Sequence, residues 1–291
     1  MNLTFSKNNF KGYGEMIAAC ILWSLAGIFG KMIIGMSAQG IIFYRVTLAF
    51  IILFIVLYAS GNLDKVRLKG RKKYLILFSL LQVVTMVAYF ISILKASVSV
   101  AVLLLYTAPV YVTLLSPFIL KESFTKIGMI ALVISTSGII LIADPGKLEL
   151  SGLSTGIVAG ILSGVSYAFQ IMTSKYISTT YSGYAQAFWS FLIAIIILLP
   201  IGVAPVEVVT GNISYLLLLA IFPTILAVSL YFNGLNKVRA RSASILGLIE
   251  PVSAVLLAVL ILHEEITALE FGGGALILAG AALVTKERPD E

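Results

Sequence analysis

Charge is scarce in this chain: Asp, Glu, Lys and Arg make up 11% of its 291 residues. A soluble domain needs roughly 25% to coat its surface. With 60% apolar residues and a mean hydropathy of +1.07, this chain has lipid, not water, as its solvent. Cysteine and histidine occur once each, as Cys20 and His263, and the three aspartates (Asp64, Asp144, Asp290) lie outside the apolar runs. A single cysteine rules out a disulfide framework. One histidine puts most metal sites and histidine-based catalysis out of reach. The aspartates' placement removes an intramembrane aspartyl dyad and an Asp-rich prenyl-diphosphate site. No metal, cofactor or enzymatic activity is therefore expected. A net charge of +7 would suit a nucleic-acid partner if it were gathered on one soluble face, and its distribution argues against that.

What remains is apolar runs. Spans are expected at 14–35, 39–60, 74–95, 98–118, 126–143, 153–174, 184–205, 214–235, 242–262 and 268–285. Each approaches the roughly 20 residues that cross a hydrocarbon core of about 30 Å. Short connections such as Gly61-Asn62, Asp144-Pro145-Gly146 and Gly211-Asn212 join them. The run from Met16 lacks a small-x-small cleavage site followed by a polar region, so a retained first span is expected rather than a signal peptide. The cationic residues orient the set. With the N-terminus inside, the inner segments hold Lys7, Lys11, six residues between Lys65 and Lys73, Lys121, Lys126, Lys175, Lys237, Arg239, Arg241, Lys286 and Arg288. The outer ones hold Lys31, Lys95 and Lys147. Sixteen against three is a strong positive-inside bias. Both termini are expected in the cytoplasm, and no nucleic-acid role is expected.

The chain also repeats itself. Residues 89–125 and 231–267 align without a gap at an offset of 142, with 13 identities in 37 positions. These include Tyr89/Tyr231, Phe90/Phe232, Lys95/Lys237, Pro109/Pro251, Glu122/Glu264 and Thr125/Thr267. Apolar composition supplies roughly a third of such matches, but not paired Pro, Glu and Thr in one register. The unit holds five spans, so its second copy must enter the membrane from the opposite side. The expected fold is an all-α membrane protein of ten transmembrane helices in an inverted 5+5 repeat, residues 1–147 and 148–291. Such folds place a site near the midplane and expose it alternately to the two faces, although channels also use them.

The fourth-span YTAPVYVTLLSPFILKE, the ninth-span IEPVSAVLLAVLILHEE and the second-span FYRVTLAF resemble the EamA-type branch of the drug/metabolite transporter superfamily over nearly the whole chain. The resemblance implies a carrier of a small metabolite in the cytoplasmic membrane, often an exporter of amino acids or related compounds. It does not name the cargo.

Several residues are candidates for that cargo. Glu250 lies mid-span immediately before Pro251, and an ionisable group at such depth is costly and a functional candidate. It can contact substrate, carry a proton, or serve as a structural carboxylate that never titrates. Pro251 frees the carbonyl of Gly247, and Pro109 in the repeat frees that of Leu105. Both prolines should bend their helices, for packing, for a cavity or as hinges. Arg45 can snorkel to the interface, pair with a carboxylate or hold an anionic group. Trp23 and Tyr167 (equivalent at an offset of 144), Gln170, Tyr89, Tyr231 and Tyr106 would line a cavity, the alternative being helix packing or interface anchoring.

Other features read as structural. Gly156, Gly160 and Gly164 recur on one face of span six, and Gly128, Gly138, Gly272–Gly274 and Gly280 suggest the same close helix packing. The triple glycine lacks the strand and lysine of a nucleotide loop. Thr125 and Thr267 should cap helices, Thr267 in a capping box with Glu270. Against a carrier stand an intramembrane enzyme, a permease subunit driven by a separate ATPase, and a channel. The sequence leaves oligomeric state open.

Overall fold

The computed structural model describes residues 2–96, 98–144, 154–263 and 265–286. Pro145 and Gly146 of the expected turn, Lys147, Glu264, Arg288 and Asp290 lie outside the described residues, as does the junction at 147/148. Every regular element among the described residues is helical. In chain order these are α1 (Asn2–Lys31), α2 (Ala38–Ala59), α3 (Lys72–Lys95), α4 (Val98–Leu105), α5 (Ala108–Ile119), α6 (Lys126–Ile142) and α7 (Ser154–Ile177). Then follow α8 (Gly183–Gly202), α9 (Val206–Gly211), α10 (Ile213–Leu219), α11 (Ala227–Leu235), α12 (Ala240–Gly247), α13 (Ile249–Leu262) and α14 (Ala268–Thr285). Among the described residues, nine helical stretches of 18 to 24 residues are long and apolar enough to cross a membrane, counting α4–α5, α10–α11 and α12–α13 as one each. The remaining expected span, the fifth, corresponds to α6, which is apolar but 17 residues long.

Three stretches are interrupted, and proline is the cause each time. Pro109 and Pro251 cannot donate to the carbonyls four residues back. Accordingly α4 stops at Leu105 and α12 at Gly247, and a new helix starts at Ala108 and at Ile249. The expected bends are thus breaks. At Pro223 the chain instead widens by one residue per turn over Ala220–Leu226, and the Thr224 hydroxyl donates to the carbonyl of Leu219 at 2.7 Å. A π-type turn of this kind accommodates the missing N–H without a break.

Helix ends are capped as the sequence suggests. The Thr125 side chain accepts from Gly128 N–H, and Thr267 and Glu270 form a full capping box. Glycines set the closest packing. A Cβ on Gly164 would lie 2.4 Å from the carbonyl oxygen of Leu104, and one on Gly160 2.5 Å from Leu104 Cδ1, so α7 sits directly against α4. Gly138 of α6 and Gly273 of α14 meet backbone to backbone, each with the other's carbonyl 2.6 Å from where its Cβ would be. Arg241, expected at the inner end of its span, is the second residue of α12 and is fully buried.

Candidate functional site

The break between α12 and α13 is where the sequence candidates meet. Glu250 occupies the first turn of α13, where the helix N-terminus favours a carboxylate. The hydroxyl of Tyr106, at the end of α4, is the hydrogen-bond donor facing that carboxylate. Tyr106 is fixed there by packing on Leu248 and Val252. Tyr89 of α3 lies within electrostatic range of both groups. The Tyr167 hydroxyl approaches the helix break, 3.9 Å from where a Cβ on Gly247 would be, and faces that of Tyr231. Trp23 of α1 stacks at a tilt on Tyr231 with ring centroids 4.7 Å apart.

Arg45 of α2 is the opposing charge. It lies within electrostatic range of Glu250, but the ion pairs seen among the described residues are elsewhere, at Arg67–Asp64 and Lys237–Glu15. Its buried Nε has no hydrogen-bond partner. Trp23, Arg45, Tyr89, Tyr167 and Glu250 all keep some accessible surface. Two further candidates are buried. Tyr231 is fully enclosed, and the buried amide of Gln170 is spent on Gln82 at 3.4 Å in the α3–α7 seam.

A cleft of about 260 Å³ runs between α1 and α13 from a rim at Lys31, Glu265 and Glu270. Its walls include Gly27, Ala254 and Ala258. Ala254 and Ala258 follow Glu250 at intervals of four and so share its face of the helix. A Cβ on Gly27 would meet nothing within 4 Å, and none of the sequence candidates is among the described residues that line the cleft.

One participant was not singled out beforehand. The thiol of Cys20 donates to the carbonyl of Leu246 at 3.4 Å and reaches that of Gly247 at 4.0 Å. It thus meets the carbonyls released at the break. The proline marked a freed carbonyl in sequence, but nothing in the sequence links residue 20 to residue 247. Among the described residues no cluster of three His, Cys, Asp or Glu is placed to hold a metal ion.

Comparison with known proteins gives the lineage. The EamA-like transporter family pattern matches the chain twice, over residues 10–143 and 154–286. The chain belongs to the EamA-like transporter family. It is accordingly a multi-pass integral membrane protein with a general transporter role. An uncharacterized transporter of Archaeoglobus fulgidus is 30% identical over 278 residues, covering 94% of this chain and 97% of its own. The uncharacterized inner membrane transporter YicL of Salmonella typhimurium is 28% identical over 290 residues, covering 94% and 95%. One solved crystal structure superposes with a TM-score of 0.81 over 96% of both chains at 17% identity, a likeness of fold. In this EamA-like chain each matched stretch contains one of the two proline breaks.

Proposed function

We propose that this protein is a secondary transporter that moves a zwitterionic metabolite, an amino acid or related compound, across the cytoplasmic membrane by alternating access. Export is the direction the family resemblance implies. The observation that carries the reading is the pair Glu250 and Arg45, opposite charges inside the membrane-spanning core that lie within electrostatic range without pairing. Isolated charges at that depth are costly. A cargo with an ammonium for Glu250 and a carboxylate for Arg45 would satisfy both. Trp23, Tyr89, Tyr106 and Tyr167 would surround its apolar part, with Tyr231 and Gln170 behind them.

The reading takes the ten spans as an inverted 5+5 repeat with both termini in the cytoplasm, and counts α6 as a span. A helix of 17 residues is at the lower end of those that cross a bilayer. Packing supports the repeat: α3 runs against α7, as α1 runs against α11, while α2 pairs with α8 and α6 with α14. Exchanging the two halves maps this set of contacts onto itself. The cationic bias of sixteen against three supports the orientation. The test is counterflow in proteoliposomes containing this chain alone. Saturable exchange of labelled amino acids is the expected result. Flux that does not saturate, or no flux of any amino acid in either direction, would sink the reading.

A further inference from the structure

The end of the molecule opposite the α1–α13 cleft is held by a polar cluster outside the candidate substrate residues. The carboxylate of Glu122, between α5 and α6, accepts the backbone N–H of Ala240 through both oxygens, at 2.8 and 3.1 Å. It thereby meets an orphan donor at the start of α12. Arg241, the next residue, is fully buried and donates to the Ser123 carbonyl at 3.1 Å and the Thr125 hydroxyl at 3.0 Å. Lys175, at the end of α7, donates to the carbonyls of Leu235, Asn236 and Val238. Lys237 pairs with Glu15 of α1. Gly128 makes the space, because a Cβ there would lie 2.4 Å from Arg241 Nε.

These bonds run between different connections, not within one. Burying a guanidinium is costly unless its donors are met, and two of the bonds that meet those of Arg241 reach the 123–125 connection. Those bonds last only while the two connections touch. It is also one-sided in sequence. At the offset of 142, Glu122 and Thr125 match Glu264 and Thr267, but Ala240 and Arg241 match Val98 and Ser99. The other half has no such arginine.

We propose that Glu122, Arg241 and Lys175 are positioning residues that lock this face, cytoplasmic in the proposed orientation, so that the resting carrier is open only at the Lys31–Glu265 rim. Each transport cycle must break the lock. The inference rests on the alternating-access reading, but its test needs no flux. Cys20, the sole cysteine, is buried at the α12–α13 break between lock and cleft and serves as the reporter. The full chain in sealed vesicles is exposed to a membrane-impermeant maleimide from one face at a time. Glu122→Gln removes the charge that holds Ala240, and Gly128→Ala displaces the guanidinium. Each should speed labelling from the lock face about tenfold, the scale of losing one charge-assisted hydrogen bond, without speeding it from the other face. Arg241→Lys, which keeps the charge and fewer donors, should give a smaller rise. Unchanged labelling from the lock face in folded variants overturns the lock, and so does an equal rise from both faces, the mark of general loosening. Should Glu122→Gln not fold, Gly128→Ala carries the test alone. A wild-type chain that transports nothing would defeat the carrier reading without altering the sidedness of labelling, so the two failures are distinct.

Discussion

Glu250→Gln separates a carboxylate that handles cargo from one that only supports the fold. In the fold Glu250 is an acceptor for the Tyr106 hydroxyl. Glutamine keeps that acceptor and nearly the same volume, so the structural cost should stay below about 1 kcal/mol. The charge, however, is gone. A substrate ammonium would lose a charge-assisted bond of about 1.5–3 kcal/mol, which is about 10- to 150-fold in affinity. The assay is counterflow of a labelled amino acid with purified protein, read as half-saturation alongside a thermal melt. Half-saturation should rise by that factor while the melt moves little. The wild type should bind more weakly as acid neutralises the carboxylate, and the variant should lose that dependence. Glu250→Ala behaves differently, since it also strands the Tyr106 hydroxyl, at about 1–3 kcal/mol of stability. Glu250→Gln flux matching wild type at every pH from about 5.5 to about 8, the range in which a carboxyl of altered affinity would reveal itself, would refute a role in binding or proton transfer.

Arg45→Gln should weaken uptake of amino acids but spare an amine lacking the carboxylate, and equal losses for both would reject the assigned polarity of the site. Gly164→Ala should cost about 1–3 kcal/mol by overpacking against Leu104 and Thr107. Gly14→Ala, where a Cβ meets nothing within 4 Å, should be neutral or raise the melting temperature through helix propensity. The reverse order in a melt would show that α7 does not pack as described. Thr267→Ala removes the capping box of α14 and should cost about 0.5–2 kcal/mol, measurable by the same melt, with transport per folded molecule unchanged.

The span map was legible because hydrophobic runs must match a bilayer thickness, and most observed boundaries fall within a few residues of the expected ones. α1 is the exception, ending at Lys31 rather than near residue 35. The breaks at Pro109 and Pro251 were legible as distortions, since a missing N–H is a local property of the chain. What the sequence hid was lateral. Nothing in residues 15–35 marks Cys20 as the partner of carbonyls 226 and 227 positions away. The burial of Arg241 was hidden because a cation next to a basic turn reads as an exposed residue. Its burial depends on Thr125, Ser123 and the space at Gly128, all more than 110 positions distant.

On the proposed reading, the scarcity of charge and the two broken helices are parts of one solution. A charged cargo inside lipid needs polar partners, yet each additional ionised side chain at that depth is costly. Broken helices supply partners without ionised groups, because the ends of each segment expose backbone dipoles. At the α12–α13 break the N-terminus of α13 faces Glu250, and the Cys20 thiol meets carbonyls released on the other side. At the α4–α5 break the Thr107 hydroxyl donates to the Leu104 carbonyl at 2.6 Å, and Tyr106 is turned toward Glu250. On the proposed reading one carboxylate and one guanidinium then suffice, because neutral dipoles from both proline breaks do the remaining solvation.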